Sequence, residues 1–226
     1  MGAGRLREEE SNCEEVIDLG RYIGPVCRLC KREGEKLFLK GRVCNTEKCA
    51  LEKGNAALGK RVQRKRKISD FGLRLREKQK AKRIYGVLEK QFKGYYKIAA
   101  KSKGVTGEIL LELLERRLDN VIFRCGFATT RRESRQLIGH CHFLVNGRIV
   151  NIPSYLVDPD DKIQIKAKDK KCKFFEDIID LTKEKEMPSW LEVDSKEFTV
   201  NVAKIPSREE IAVPLKEQLI VELYSK

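Results

Sequence analysis

Four cysteines, Cys27, Cys30, Cys44 and Cys49, fall into two close pairs in the pattern Cys-x2-Cys-x13-Cys-x4-Cys. Two pairs of soft thiolates on short loops suit a tetrahedral metal site. With four protein ligands no position stays open for substrate or activated water, so the chemistry implied is folding by metal binding rather than catalysis. Zinc (Zn2+, one structural ion) is the expected occupant, and an iron–sulfur cluster, which uses the same ligands, stays open as the alternative. Cys13, Cys125, Cys141 and Cys172 are scattered and read as ordinary small apolar residues. His140 and His142, the only histidines, flank Cys141. On a strand they share one face, and with neither a metal partner set nor a nucleophile nearby they read as RNA-contacting or plain surface residues.

The second constellation is cationic. The 226-residue chain carries a formal charge of +14, and Lys60 to Arg83 holds twelve bases against Asp70 and Glu77. Residues 1–20 carry six acids against Arg5 and Arg7, and residues 173–226 twelve acids against eight bases. A basic centre between acidic ends fits a protein that lays one side on nucleic acid, because Lys and Arg gain affinity by displacing counterions from phosphates. Arg116, Arg117, Arg131, Arg132, Arg135 and Arg148 follow, with Arg131 and Arg135 four apart on one helical face, as in a comb that grips phosphates bidentately.

No apolar run is long enough to span a membrane, and Glu8, Glu9 and Glu10 stand where a secretory signal core belongs, so a cytoplasmic protein with reduced cysteines is expected. No P-loop or nucleophile elbow is present, which argues against an enzyme.

The elements that must position these groups follow from periodicity. Residues 1–20 read as an acidic, flexible extension, 21–52 as the metal segment and 53–105 as a basic helical region. Its first helix runs from Ser69 to a stop at Tyr85-Gly86, and its second carries Leu88, Phe92, Tyr95, Tyr96 and Ala99. Leu111, Leu114, Leu118, Val121, Ile122 and Cys125 predict one helix over 106–125, ended by Gly126. Thr130-Arg131-Arg132-Glu133 reads as a capping box opening a short helix. Phe143–Val145 and Arg148–Val150 around Asn146-Gly147 predict a type I′ hairpin, and a turn at 158–161 leads into a strand over 162–165. Further strands are expected at Phe198–Val202 and Leu219–Leu223.

Glu115-Arg116-Arg117-Leu118-Asp119-Asn120, Phe123 to Ala128, Arg131-Arg132, Arg135-Gln136-Leu137, His140, His142, Val145-Asn146-Gly147 and Pro153-Ser154 together resemble the S-four RNA-binding domain. Arg21-Tyr22 through Cys49, Leu75 to Lys80, Arg83 to Gly86, and Glu217 to Glu222 with Tyr224-Ser225 resemble the bacterial S-four family of small-subunit ribosomal proteins. The resemblance covers about residues 21–226. It implies an α+β fold: a mostly helical outer domain with the four-cysteine segment, into which an S-four domain (106–170; helix, helix, β-hairpin, strand) is inserted, with 171–226 returning to the outer domain. It implies a structural constituent of the small subunit that binds small-subunit (16S) ribosomal RNA early in assembly, contributes to translational accuracy, faces neighbouring proteins including the S-five type and the mRNA entry region, and is not a homo-oligomer. The expected RNA-contacting set is Arg64, Lys65, Arg66, Lys67, Arg74, Arg76, Lys78, Lys80, Lys82, Arg83, Tyr85, Arg116, Arg117, Asn120, Arg131, Arg132, Arg135, Gln136, His140, His142, Asn146, Arg148 and Ser154. Cys125, Cys141 and Asp160 depart from the family pattern, Leu88 replaces a usual Ser, and residues 54–66 lack a familiar Pro-Gly-Gln-His run.

Overall fold

The computed structural model describes residues 22–52, 69–169, 173–182, 187–194 and 197–225. Arg64, Lys65, Arg66 and Lys67, together with Cys13 and the acidic extension, lie outside the described residues.

The outer domain is helical. Helix α1 (Cys27–Glu33) stops at Gly34, whose φ of 76° is the left-handed conformation that glycine tolerates, and a 3-10 turn covers Gly41–Asn45. Helix α2 (Asp70–Tyr85) begins where Ser69 Oγ accepts the Gly72 N–H at 3.2 Å and ends at Gly86, as its sequence predicts. Helices α3 (Glu89–Lys101) and α4 (Thr106–Glu115) follow. Tyr85, Phe92, Leu110, Leu111 and Leu114 form a core that also takes Leu37 from the cysteine segment.

The single helix expected over 106–125 is two. The chain leaves α4 at Glu115 and re-enters a helix, α5 (Leu118–Arg124), only after Arg117 has adopted extended backbone. There Arg117 bridges Leu156 in antiparallel register, Leu118 N donates to Tyr155 O at 2.8 Å, and Val157 N donates to Arg116 O at 2.9 Å. Neither Gly nor Pro marks the break; backbone pairing to a distant strand-like segment replaces the lost helical bonds.

After α5, helix α6 (Arg131–Gly139) starts with Thr130 Oγ1 accepting from Glu133 N at 3.2 Å. The Glu133 carboxylate reaches back one residue further than a simple capping box, accepting from Thr129 N and Thr129 Oγ1 at 2.6 Å each. Strands β1 (Phe143–Val145) and β2 (Arg148–Ile149) form the expected hairpin, with Asn146 and Gly147 at φ 49° and 77°. Strand β3 (Lys162–Ile165) pairs with β1, and Asp160 takes the left-handed turn position at φ 67°. Helix α7 (Lys173–Thr182) and strands β4 (Leu191–Asp194) and β5 (Thr199–Val202) then complete an all-antiparallel sheet in the order β2-β1-β3-β5-β4. Phe175, Trp190, Leu191, Val200 and Val202 share a core with Leu118, Ile122 and Phe143, so this domain's packing runs beyond residue 170.

The chain rejoins the outer core at Ile211, Val213 and Leu215. Leu219–Leu223, expected as a strand, lies within helix α8 (Glu217–Tyr224). Its apolar run is ambiguous between the two periods; in the helix Ile220 is fully buried and Tyr224 stacks on Tyr96 with ring centroids 4.7 Å apart. Helix α8 crosses α4 closely, since a Cβ on Gly107 falls 2.7 Å from Glu217 Cγ. Gly107→Ala is therefore expected to lower stability by about 1–3 kcal/mol in denaturant unfolding, whereas Gly139→Ala, where nothing lies within 4 Å and the backbone is not left-handed, changes it little.

Candidate nucleic-acid interface

Two acids anchor the junction between the domains. Glu115 closes α4 with its side chain 1% exposed and takes four side-chain bonds. Its Oε1 accepts from Tyr85 OH at 2.7 Å and Arg124 Nη2 at 2.8 Å, and its Oε2 from Asn120 Nδ2 at 2.6 Å and Arg124 Nε at 3.0 Å. Asn120 Oδ1 accepts from Arg131 Nε at 2.8 Å, and the Arg131 guanidinium lies over the rings of Phe123 (4.4 Å) and Tyr85 (5.1 Å). Asp119 receives Arg117 through two bonds, 3.1 and 2.7 Å, and Arg135 Nη1 at 2.6 Å. Arg117 Nη1 in turn donates to Tyr95 OH at 2.6 Å. Each thread starts on a helix of the outer domain and ends on α5 or α6.

This arrangement corrects the comb. Arg117 and Asn120 are 0% and 1% exposed, and Arg135 is 9% exposed with its Nε buried and without a partner. Arg117, Asn120, Arg135 and Tyr85 are inside, because their polar atoms complete the coordination of buried carboxylates that no water reaches. Replacing Arg131, Arg132 and Arg135 together by Ala thus breaks the core as well as the surface; only Arg132 is exposed. Burial by itself raises the Glu115 pKa, but attraction and hydrogen bonding from Arg124, with Arg131 and Tyr85, outweigh it and hold it below the usual range. Burial and then Glu115 push the Tyr85 hydroxyl well above its ordinary value.

The basic helix α2 is also largely neutralised from within. Arg76 and Arg83 both pair with Glu33 of α1, Arg74 with Glu222 of α8, Lys78 and Lys82 with Glu89 of α3, and Lys80 with Glu35 and Glu77. These cations tie four helices together. Glu89 is driven down to about 2: burial opposes the shift, and the bonds from Lys78, Tyr224 and Lys82 overcome it.

On the outside, Arg132 and Gln136 on α6, His140 at its C-cap and Arg148 on the hairpin are exposed. Arg132 Nη2 donates to Tyr22 O at 2.7 Å, which ties this helix to the cysteine segment. Arg116 pairs with Glu112 and Asp158, and Ser154 is half-buried. Asn146 is exposed, yet its amide pins the turn, Nδ2 donating to Asp161 Oδ1 at 2.7 Å and Oδ1 accepting from Lys162 N at 2.9 Å. His140 and His142 are not on a strand, since Cys141 between them takes φ 61°. Their rings lie 6.3 Å apart, and His142 Nδ1 sits 2.9 Å from Asp169 Oδ2. Arg28 and Arg32, one turn apart on α1, are exposed as well, with Arg42 and Lys48 beyond, and none of the four is in the expected set. Their i,i+4 spacing was the available signal.

Cys27, Cys30, Cys44 and Cys49 line one small cavity with Phe38 and Leu39. Lys40 N donates to Cys44 Sγ at 3.3 Å, and the Leu37 backbone bonds Cys30. Burial raises the Cys30 pKa, and the neighbouring cysteines add to it. Four thiols gathered around one cavity, two of them already hydrogen-bonded by backbone, fit a cation that would offset their mutual repulsion. Among the described residues, however, no group of three or more His, Cys, Asp or Glu side chains is arranged to hold a metal ion. Cys141 is disulfide-bonded rather than an ordinary apolar residue.

Residues 21–115 match the ribosomal protein S4/S9 N-terminal domain, and residues 116–163 match the S4 domain. Small ribosomal subunit protein uS4 of Caldicellulosiruptor saccharolyticus is 55% identical over 208 residues, covering 92% of this chain and 100% of that protein. The chain belongs to the uS4 family. The uS4 proteins of Thermodesulfovibrio yellowstonii and Halothermothrix orenii are 53% and 52% identical over the same coverage. In this uS4 chain the boundary between the two family segments falls at Glu115 and Arg116, so the Glu115 network crosses it.

Removing the Glu115 charge strands Arg124 in the interior. Glu115→Gln is expected to cost about 3 kcal/mol or more in denaturant unfolding. Both Glu115 and Glu89 have folded pKa values below the unfolded one, so their contribution is present above the usual carboxylate value of 4.5 and is lost as pH falls through the folded values, toward about 2 for Glu89. The melting temperature should fall through that window, and Glu89→Gln should flatten the fall; an unchanged slope contradicts the assignment.

Proposed function

We propose that this protein is a structural, non-catalytic constituent of the small ribosomal subunit that binds ribosomal RNA directly through its S4 domain and the adjoining helical domain. The observation that carries this is the full-length match to small ribosomal subunit proteins uS4 together with an S4 domain whose exposed Arg132, Gln136, His140 and Arg148 surround α6 and the hairpin. The charge balance supports it: at the junction four guanidinium groups (Arg117, Arg124, Arg131, Arg135) face two carboxylates, leaving a positive field beside the exposed residues that a polyanion complements.

The mode of recognition is shape. Guanidinium and ammonium groups fix the backbone of folded RNA, and Gln136 and His140 touch exposed bases or sugars. Because Glu115 and Asp119 hold the two domains in one relative position, the RNA meets a surface formed before binding, as a protein that joins small-subunit (16S) RNA early and seeds the subunit body requires. Contact with an S-five-type neighbour, a place beside the mRNA entry region, a contribution to translational accuracy and a cytoplasmic location belong to the same reading, supported by the family.

Cys27, Cys30, Cys44 and Cys49 hold one structural ion, zinc in preference to an iron–sulfur cluster, supported by their spacing and shared cavity. The ion's role is folding: it draws the thiolates together so that residues 22–52 stay packed, through Leu37, against the core that α2 shares.

Affinity for a small-subunit RNA fragment should fall steeply with salt, with a log–log slope of roughly −0.7 to −0.9 per phosphate contacted; a flat response contradicts the reading. Arg132→Ala should weaken binding by on the order of tenfold with the fold intact, and unchanged affinity points to a different face. Elemental analysis of purified protein should find one zinc per chain, and a chelator should lower the melting temperature; neither zinc nor iron removes the metal site.

A further inference from the structure

The acids near the N-terminus are a part of the sequence that RNA binding leaves without a use. Glu8, Glu9, Glu10, Glu14, Glu15 and Asp18 put six acids and no base into eleven positions, and the family match begins only at residue 21. Phosphates repel such a stretch, so its partner is a cation rather than RNA.

The described chain opens at Tyr22, and that point is fixed against the S4 domain. Tyr22 O accepts from Arg132 Nη2 at 2.7 Å, the Tyr22 hydroxyl donates to Pro25 O at 3.1 Å, and its ring covers Gly24, where a Cβ falls 2.8 Å from Tyr22 Cζ. The same segment meets the start of α6 a second time, since a Cβ on Gly41 falls 3.2 Å from Thr130 Cγ2. The acidic stretch therefore joins the fold beside α6, with Asp18 only four residues from a pinned carbonyl.

Around that junction the surface is cationic. Arg28 and Arg32 on α1 and Arg132 on α6 are exposed and form no ion pair among the described residues. Ile23, next to Tyr22, is 88% exposed, and the acidic stretch interleaves its charges with Val16, Ile17 and Leu19. At about 3.3–3.6 Å per residue, the seven residues from Tyr22 back to Glu15 span up to roughly 25 Å. Helix α1 is only about 10 Å long, so its arginines are within reach.

We propose that residues 8–18 dock on this cationic face while the protein is free of RNA, with carboxylates against Arg28, Arg32 and Arg132 and aliphatic groups beside Ile23, and that RNA binds by displacing them. The tether holds the acids at an effective concentration on the order of millimolar, so they outcompete polyanions that touch only this patch. A folded RNA that engages the rest of the surface as well still displaces them. The displacement rests on the reading of the protein as a ribosomal RNA binder; the docking does not.

The test compares two full-length variants that lose equal charge: E14Q/E15Q/D18N in the acidic stretch and E108Q/E192Q/E209Q at exposed acids elsewhere. In the RNA-free protein at low salt, the amide NMR signals of Arg28, Arg32 and Arg132 are expected to move in the first variant and stay in the second, with the difference closing by about 0.5 M salt. On a small-subunit RNA fragment at low salt the first variant should bind about threefold to tenfold tighter, with a larger gain on an unrelated RNA, while the second stays within about twofold of wild type. Wild-type amide positions in the first variant overturn the docking, as they would if the acids served a separate basic protein. Unchanged affinity, or equal gains in both variants, overturns the displacement. If the amides move but the wild-type chain leaves the RNA unbound, the docking stands and the ribosomal RNA reading falls.

Discussion

A carboxylate taken out of water must be replaced, oxygen by oxygen, with donors fixed in the right directions, and this protein does so twice at the point where its two domains meet. Glu115 takes donors from Tyr85, Asn120 and both arms of the Arg124 guanidinium, and Asp119 takes them from Arg117 and Arg135. Desolvating an ion costs several kcal/mol or so, and only near-complete coordination offsets it. Sliding or rotating one domain relative to the other breaks several of these bonds at once, so the orientation is specified more sharply than apolar packing alone specifies it. The donors come from α2, α5, α6 and the extended Arg117 before α5, and Arg117 also donates to Tyr95 of α3, which makes one cluster the reference for the placement of most of the molecule.

That constraint explains how the positive charge is divided. Part is internal: Arg117, Arg124 and Arg135 neutralise the buried acids, and the cations of α2 hold α1, α3 and α8 in place through Glu33, Glu89 and Glu222. The remainder stands outside on α1, α6, the hairpin and α3. The inner set fixes the shape and the outer set faces solvent at the places where the shape puts it. Net charge counted along the chain therefore measures affinity for a polyanion poorly, since it weighs both sets alike.

Much of this was legible in the residues. Ser69 and Gly86 bracket α2, Thr130 with Glu133 opens α6, and Asn146-Gly147 with Asp160 sets the turns, because each signal is local and involves a backbone conformation or donor that few residues satisfy. The break between α4 and α5 was not legible, since its cause is pairing with Tyr155–Val157, some forty residues on. Helix α8 was misread for a similar reason: Leu219-Ile220-Val221 fits a strand until Tyr96 and α4 supply a helical partner face. At the site, sequence named Arg117, Asn120 and Arg135 as important but not which way they point. An arginine's direction depends on where the nearest buried acid lies, and only the fold brings Asp119 and Glu115 there. The four cysteines line one cavity, as their short spacings suggest, but among the described residues they are not arranged to hold a metal ion.

The account stands on the two domains being one rigid body whose cationic surface exists before RNA arrives. Residual dipolar couplings, measured on the full chain free and bound to a small-subunit RNA fragment, test this most directly. A single alignment tensor fitting both domains, with the same relative orientation in the two states, is the expected result. Separate tensors in the free protein, or a rotation of the S4 domain on binding, would show that the buried carboxylates do not set the geometry.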